Sequence, residues 1–160
     1  MLMNRIVGIS EMKVSNRVGD ILVTHSLGSC LGVTVYDPIA SVGGMIHCML
    51  PSSKLDPKKA QIFPCMFVDT GIPLLFNETY RLGAQKNRII VKVAGCSQIL
   101  GNNELFKIGE RNYAILRKIL RKNNIPIAAE DVGGMDSRTI YLEIRTGRVI
   151  VKSRSGKVEL

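Results

Sequence analysis

The chain has 160 residues, of which 46% are hydrophobic, and it carries a formal net charge of +9. That length fits one domain, residues 1–160, and suffices to bury roughly two-thirds of the unfolded surface. No apolar run is long enough to span a bilayer, and the start Met1–Arg5 lacks the apolar core of a secretion signal. The four cysteines form no CxxC pair and have no metal-ligand spacing. We therefore expect a cytoplasmic protein without a metal, another cofactor or membrane insertion.

The positive charge raises the question of nucleic-acid binding. The 22 basic residues are spread along the chain and aromatic residues make up only 5%, so a stacking platform for bases is hard to assemble. There are two basic clusters. The cluster in 117–122 fits a solvated helix face, and the cluster in 145–157 fits a frayed tail. Together they produce a positive field that favours an acidic protein partner, and we expect no nucleic-acid partner.

The first third of the chain predicts strands. Apolar and polar residues alternate over Arg5–Val14, and apolar or β-branched segments follow at Asp20–Thr24, Cys30–Tyr36 and Val42–Leu50. The turn 37–41 joins the last two segments and can bring their residues side by side. A polar loop with prolines at both ends is expected over 51–57.

The remainder mixes helices and strands. One helix is predicted to begin at a cap of Asp69 or Thr70 and to end at Gly83, and a second covers Ile108–Lys122. The predicted strands are Arg88–Ala94, Ile125–Asp131, Thr139–Arg145 and Arg148–Lys152, the last two joined as a hairpin. About eight strands and two helices, grouped in blocks, predict a single-domain α+β fold with mostly antiparallel sheet.

Cys30 and His47 are the residues best suited to chemistry. Cys30 follows the small-residue turn Leu27-Gly28-Ser29, and His47 lies on the next apolar segment. An imidazole beside a thiol can take its proton and stabilise the thiolate. A core cysteine and a hydrogen-bonded core histidine fit the same spacing, so spacing alone leaves both interpretations open.

Two segments carry a longer pattern. Thr24–Cys30 read T-H-S-L-G-S-C, and Gly43–Pro51 read G-G-M-I-H-C-M-L-P. They resemble the chemoreceptor glutamine deamidase (CheD-like) family of bacterial chemotaxis, whose pattern is roughly T-x-G-L-G-S-C, an apolar strand, and then G-x-x-x-H-x-M-L-P. Further matches lie at Phe106–Asn112 and Ala129–Gly134, with Arg138. The resemblance thus covers nearly the whole chain, from about residue 7 to 152.

The resemblance implies a layered α/β/β sandwich and an enzyme, a protein-glutamine glutaminase. Such an enzyme hydrolyses specific glutamine side-chain amides of chemoreceptors to glutamate through a cysteine thioester and releases ammonia. By this resemblance Cys30 is the nucleophile, His47 the general base and acid, and Thr24 the residue that orients His47. The backbone N–H groups of Ser29 and Cys30 are candidates for an oxyanion hole.

The implied partners are the cytoplasmic domains of chemoreceptors, as substrate, and a chemotaxis phosphatase that regulates the enzyme. The alternative is a non-catalytic binding module that docks on that phosphatase or on another acidic protein partner. Whether methyl esters are also cleaved stays open.

The chain departs from the family pattern at two places. Ser26 stands where a glycine is usual, and Cys96-Ser97 follow Gly95 where a Gly-Gly-Ala run is usual. His25 offers a rival imidazole, but the neighbour of Thr24 on a strand points away from the side that Thr24 faces. For the same reason Cys48 is expected on the opposite face from His47. The two remaining thiols, Cys65 and Cys96, are expected to be buried.

Overall fold

Two five-stranded β-sheets lie face to face, and two long helices cover the outer face of the second sheet. The computed structural model describes residues 1–98 and 107–160. The strands are β1 Met3–Ile6, β2 Met12–Ser15, β3 Asp20–Leu27, β4 Leu31–Asp37, β5 Val42–Cys48, β6 Ile90–Gly95, β7 Ile127–Val132, β8 Arg138–Glu143, β9 Val149–Ser153 and β10 Gly156–Glu159. The helices are α1 Pro57–Ile62, α2 Val68–Arg81 and α3 Ile108–Lys122, with short 3-10 turns at Ser53–Leu55 and Pro64–Met66.

The strand order confirms the predicted α+β class and the layered α/β/β sandwich. The first sheet has the order β1-β3-β8-β9-β10, and the second has the order β2-β5-β4-β6-β7. The pairs β1–β3 and β6–β7 are parallel, and the other strand pairs of the described residues are antiparallel. The sheet is therefore mostly antiparallel, as the block arrangement of the elements indicates.

The strands β4 and β5 lie in the middle layer, where both of their faces are buried. Val33 and Val35 pack with α2 and α3 in one core cluster, whereas Met45 packs with the first sheet in a second cluster. A Cβ at Gly32 would point at Ile140 of the first sheet. Because successive residues of a strand face opposite sides, odd positions of β4 face the helices and even positions face the first sheet.

The N-terminal stretch is two strands, so the single strand predicted for Arg5–Val14 is wrong. Strand β1 pairs with β3 in the first sheet, and β2 pairs with β5 in the second. Between them the Glu11 N–H donates to the Gly8 carbonyl at 3.1 Å, and Ser10 has a φ of 63°. Apolar and polar residues go on alternating through the turn between β1 and β2. The alternation alone therefore does not show that the chain passes from the first sheet to the second there.

Helix α2 begins at Val68, one or two residues before the predicted caps. The Asp69 carboxylate accepts hydrogen bonds from the Ser53 N–H and hydroxyl, both at 2.8 Å, and the Thr70 hydroxyl donates to the Pro64 carbonyl. Both side chains thus fix the preceding segment, which contains short helical turns where a loop was expected over 51–57. The bounds of α3 and the end of α2 near Gly83 agree with the prediction.

Strand β10 has no counterpart among the predicted elements. It is an edge strand whose residues are all exposed, and it pairs antiparallel with β9. A short exposed strand has no buried face, so its sequence lacks the apolar alternation that marks the others. The hairpin predicted from Thr139–Arg145 and Arg148–Lys152 is confirmed as the antiparallel pair of β8 and β9.

Candidate active site

The β4–β5 hairpin brings Cys30 and His47 to one face of the second sheet. Gly32 pairs with His47 and Leu31 with Cys48, and Cys30 directly precedes β4. Cys30 and Gly32 share a face, so Cys30 and His47 are diagonal neighbours across the pair. Such neighbours lie about 7–8 Å apart at Cα, which side chains of this length can bridge. The predicted strand started at Cys30, whereas the observed one starts a residue later and leaves the thiol at the strand end.

Thr24 contacts His47 and determines which of its ring nitrogens carries the proton. The Thr24 Oγ1 lies 2.7 Å from the His47 Nδ1 and also donates to the Val7 carbonyl at 2.7 Å. A hydroxyl has one hydrogen and a carbonyl can only accept, so Nδ1 must carry the proton that it donates to Thr24. The Nε2 atom is then the unprotonated nitrogen. It is buried and has no hydrogen-bond partner among the described residues.

Burial keeps both members of the pair neutral at rest. It lowers the pKa of His47 to about 4 and raises the pKa of the Cys30 thiol above its ordinary value. Desolvation penalises the charged form of each group, which is imidazolium for one and thiolate for the other. At neutral pH the resting pair is therefore a thiol and a neutral imidazole.

The loop that carries Cys30 is bonded to the loop after β6. The Cys96 N–H donates to the Cys30 carbonyl at 2.7 Å, and the Ser97 N–H donates to the Gly28 carbonyl at 2.8 Å. Ser26 and Cys96 have φ values of 58° and 55°, in the left-handed region that glycine adopts most easily. Both departures from the family pattern thus fall where the backbone favours glycine.

Arg138 of β8 holds this second loop from the first sheet. Its guanidinium donates to the Gly95 carbonyl at 3.1 Å, the Ser97 hydroxyl at 2.7 Å and the Gly133 carbonyl at 2.8 Å. It is nearly buried and also pairs with Asp131 at 3.2 Å. The sequence marked Arg138 only as a match to the family pattern.

Helix α3 holds the other side of the Cys30 loop. A Cβ at Gly109 would lie 2.5 Å from the Cys96 carbonyl oxygen, so glycine lets the helix approach this backbone closely. One turn later the buried Asn112 donates to the Ser29 carbonyl at 3.0 Å and to the Met49 carbonyl at 3.1 Å. In the sequence, Asn112 stood out only as the end of a segment that matches the family pattern. Its spacing of four residues before the buried Leu116 was the signal that a polar side chain lies on the buried stripe.

Comparison with known proteins assigns the family. The model of the family described as CheD chemotactic sensory transduction matches residues 49–153. The chain belongs to the CheD family. It is 56% identical, over 94% of both chains, to a probable chemoreceptor glutamine deamidase CheD 1 of Syntrophus aciditrophicus. It is 44% identical to one of Solibacter usitatus, over 97% of this chain and 92% of the relative. It is 42% identical to one of Pyrococcus horikoshii, over 95% and 94%.

In this member of the CheD family the rival candidates lie elsewhere. His25 is exposed, whereas its neighbour Thr24 is fully buried. Cys48 packs with the helices, on the opposite face from His47, as expected. Cys96 is buried, and burial raises the pKa of its thiol to about 12. Cys65 is only half-buried, so the expectation that it is buried is wrong.

Residues 1–98 and 107–160 contain no group of three or more His, Cys, Asp or Glu residues placed to hold a metal ion. None of the helices in this part of the chain has the length and apolar character needed to cross a membrane. Phe106, which belongs to a segment that matches the family pattern, lies outside the described residues.

Proposed function

We propose that this protein hydrolyses glutamine side-chain amides of chemoreceptors to glutamate, with Cys30 as the nucleophile. The observation that carries the proposal is the 2.7 Å contact of Thr24 with the His47 Nδ1, which leaves a buried, unprotonated Nε2 on the face that Cys30 shares. The relatives named above are described as chemoreceptor glutamine deamidases, which supports the same substrate.

The first half-reaction forms a thioester. The Cys30 Sγ attacks the amide carbon of the glutamine, and the His47 Nε2 takes the thiol proton. The carbonyl oxygen becomes an oxyanion that a backbone N–H of Ser29 or Cys30 stabilises. When the C–N bond breaks, the imidazolium returns the proton to the nitrogen, so ammonia leaves and the thioester remains.

The second half-reaction restores the thiol. The neutral Nε2 takes a proton from water, whose oxygen attacks the thioester carbon, and the proton passes to the departing sulfur. Glutamate is the product. Thr24 keeps the ring in place through both steps, but its hydroxyl cannot stabilise imidazolium by charge as an aspartate does. The low pKa of His47, about 4, agrees with a base that is charged only transiently.

The proposed substrate region is the cytoplasmic part of chemoreceptors, so the proposed location is the cytoplasm. A chemotaxis phosphatase is proposed as a regulatory partner. The segment between β5 and α2 offers a surface for such docking, because it exposes Leu55, Ile62 and Phe63 by 58%, 70% and 48%. It joins β5 at the end of the hairpin that carries Cys30, where the Met49 N–H donates to the Met66 carbonyl at 2.8 Å.

Ammonia release from a purified receptor cytoplasmic fragment tests the catalytic proposal. Cys30→Ala and His47→Ala should lose activity to a similar degree, because members of one catalytic unit are not additive. Thr24→Val should lose less, since it removes the orientation and leaves the base. Cys65→Ala and His25→Ala are matched controls that remove a thiol and an imidazole elsewhere. Equal losses for His25→Ala and His47→Ala would contradict the assignment of the base.

Binding measurements test the partner. Changing Ile62 and Phe63 together to serine should weaken calorimetric binding of the phosphatase, because the change removes apolar surface beside the site. Ile39→Ser is the control, since Ile39 is 74% exposed in the β4–β5 turn, at the opposite end of the hairpin from Cys30. Tight binding without ammonia release would favour the alternative of a binding module. Equal affinity of all variants would refute the proposed surface.

A further inference from the structure

Asn112 links two carbonyl groups that flank the candidate nucleophile. Its Nδ2 lies 3.0 Å from the carbonyl of Ser29, which precedes Cys30, and 3.1 Å from the carbonyl of Met49, which follows β5. Both carbonyls can only accept, so the NH2 group of the side chain must face them. Its Oδ1 is buried and has no hydrogen-bond partner among the described residues. An unpaired buried acceptor loses its hydration without gaining a hydrogen bond, a cost that an apolar residue at this position would not carry.

The bond to Ser29 determines where the Cys30 N–H points. The peptide bond is planar and trans, so the Ser29 carbonyl and the Cys30 N–H point in opposite directions. Because Asn112 draws the carbonyl towards α3 and Met49, the N–H is directed away from them. The next peptide is fixed as well, since the Cys30 carbonyl accepts from the Cys96 N–H at 2.7 Å. In the described part of the chain, no hydrogen-bond acceptor contacts the Cys30 N–H.

We propose that Asn112 is a positioning residue that holds the Ser29–Cys30 peptide with its N–H free to bind the oxyanion formed from the substrate carbonyl. The inference rests on the proposed deamidation. Asn112 acts through the backbone, because α3 covers the helix face of the second sheet while Cys30 packs on the face towards the first. Without it the Ser29 carbonyl has no anchor on that side, and the peptide can rotate to place an oxygen where the N–H is needed.

This role makes a prediction that a merely structural role does not. Removing one oxyanion donor lowers kcat by about 100-fold to 1000-fold. Asn112→Ala should therefore lower kcat by about 100-fold and leave KM within about 2-fold, because the peptide is needed in the transition state. Alkylation of Cys30 by iodoacetamide should keep its rate, since that reaction forms no oxyanion. A merely structural defect would alter KM, the alkylation rate and the melting temperature together.

The experiment measures ammonia release from a receptor fragment, the Cys30 alkylation rate, and the NMR shifts of the Ser29 carbonyl and the Cys30 amide. Asn123→Ala is the matched control, because it removes a carboxamide at the end of the same helix, where its side chain caps the Ile119 carbonyl. Asn112→Ser keeps one donor and should fall between the intact protein and Asn112→Ala. If the alanine variant does not fold, the serine variant is judged by the same criteria.

The outcomes separate this inference from the proposed function. A lowered kcat with unchanged alkylation, and with shifted Ser29 and Cys30 resonances, supports the role of Asn112. An unchanged kcat in Asn112→Ala, or a loss of the same size in Asn123→Ala, overturns it while the deamidase proposal stands. If the intact protein releases no ammonia, the proposed function fails and this role fails with it. In that case, shifted resonances in Asn112→Ala would show only that the peptide is anchored.

Discussion

Acidification should destabilise this protein through His47. Burial lowers the pKa of its imidazole from 6.5 to about 4. As the pH falls through 6.5, the imidazole of His47 binds a proton in the unfolded chain, whereas in the folded protein it stays neutral until about pH 4. The unfolded state binds more protons in this window, so the free energy of unfolding decreases as the pH falls. Above pH 6.5 the full stability is present, because the imidazole is neutral in both states.

The size of the effect follows from the two pKa values. Each pKa unit corresponds to about 1.4 kcal/mol, so the complete loss is about 3 kcal/mol once the pH is below 4. Between pH 7 and pH 5 the loss is about 2 kcal/mol, with a slope of at most one proton per molecule. A domain of this size has about 5–15 kcal/mol of stability, so the change is easily measured.

Urea unfolding at pH 7, 6 and 5 measures the effect, with His47→Gln as the variant. The quantity to compare is the decrease in the free energy of unfolding between pH 7 and pH 5, because the carboxylates contribute equally to both proteins and cancel in the difference. This decrease should be smaller in His47→Gln than in the intact protein by about 2 kcal/mol. His25→Gln is the control and should keep the steeper slope, since His25 is exposed. Parallel slopes for the intact protein and His47→Gln would refute the argument that His47 is buried in its neutral form.

Three further predictions concern backbone strain, a buried ion pair and surface charge. Ser26→Gly should raise the free energy of unfolding in urea by about 0.5–1 kcal/mol, because relief of the left-handed φ of 58° exceeds the added entropy of the unfolded chain. A lower free energy of unfolding than that of the intact protein would contradict this. Arg88→Ala should lower the free energy of unfolding by about 3–5 kcal/mol, since it leaves the fully buried Asp37 carboxylate without its 2.8 Å partner. Arg81→Ala is the control and should cost under about 1 kcal/mol, because Arg81, which pairs with Glu78, is exposed. The KM for a receptor fragment should rise several-fold from low to physiological salt while kcat changes little, because salt screens the attraction between the basic protein and an acidic receptor. Neutralising the basic residues of 117–122 should reproduce the rise. A KM that changes with neither salt nor these substitutions would exclude electrostatic steering by the basic residues of 117–122.

The hairpin at the centre of the site was predictable because its signals are local. β-branched and apolar segments flank a turn that contains Asp37 and Pro38, and the observed register places His47 opposite Gly32. The pairing of Thr24 with His47 came from the resemblance alone, since no local pattern joins residues on different sheets. Their hydrogen bond agrees with that expectation.

Other parts of the site depend on partners that are distant in sequence. Asn112 bonds to a carbonyl 83 residues away, and Arg138 bonds to Gly95 across 43 residues. The periodicity of a sequence does not show such contacts. The position of Asn112 on the buried stripe of α3 did indicate that its side chain needs a hydrogen-bond partner in the core. In the same way, Asp69 and Thr70 have the residue types of helix caps but bind the preceding segment instead.

We propose that Cys30 is the group through which this protein converts receptor glutamines to glutamates. The most direct measurement is the mass of each glutamine-containing peptide of a receptor cytoplasmic fragment, before and after incubation with the protein in water enriched in oxygen-18. The intact protein and Cys65→Ala should convert specific glutamines to glutamates that carry the heavy oxygen, because water hydrolyses the thioester. Folded Cys30→Ala should leave every peptide unchanged. Conversion by Cys30→Ala would show that Cys30 is not the nucleophile, and no conversion by the intact protein would show that it is not a receptor deamidase.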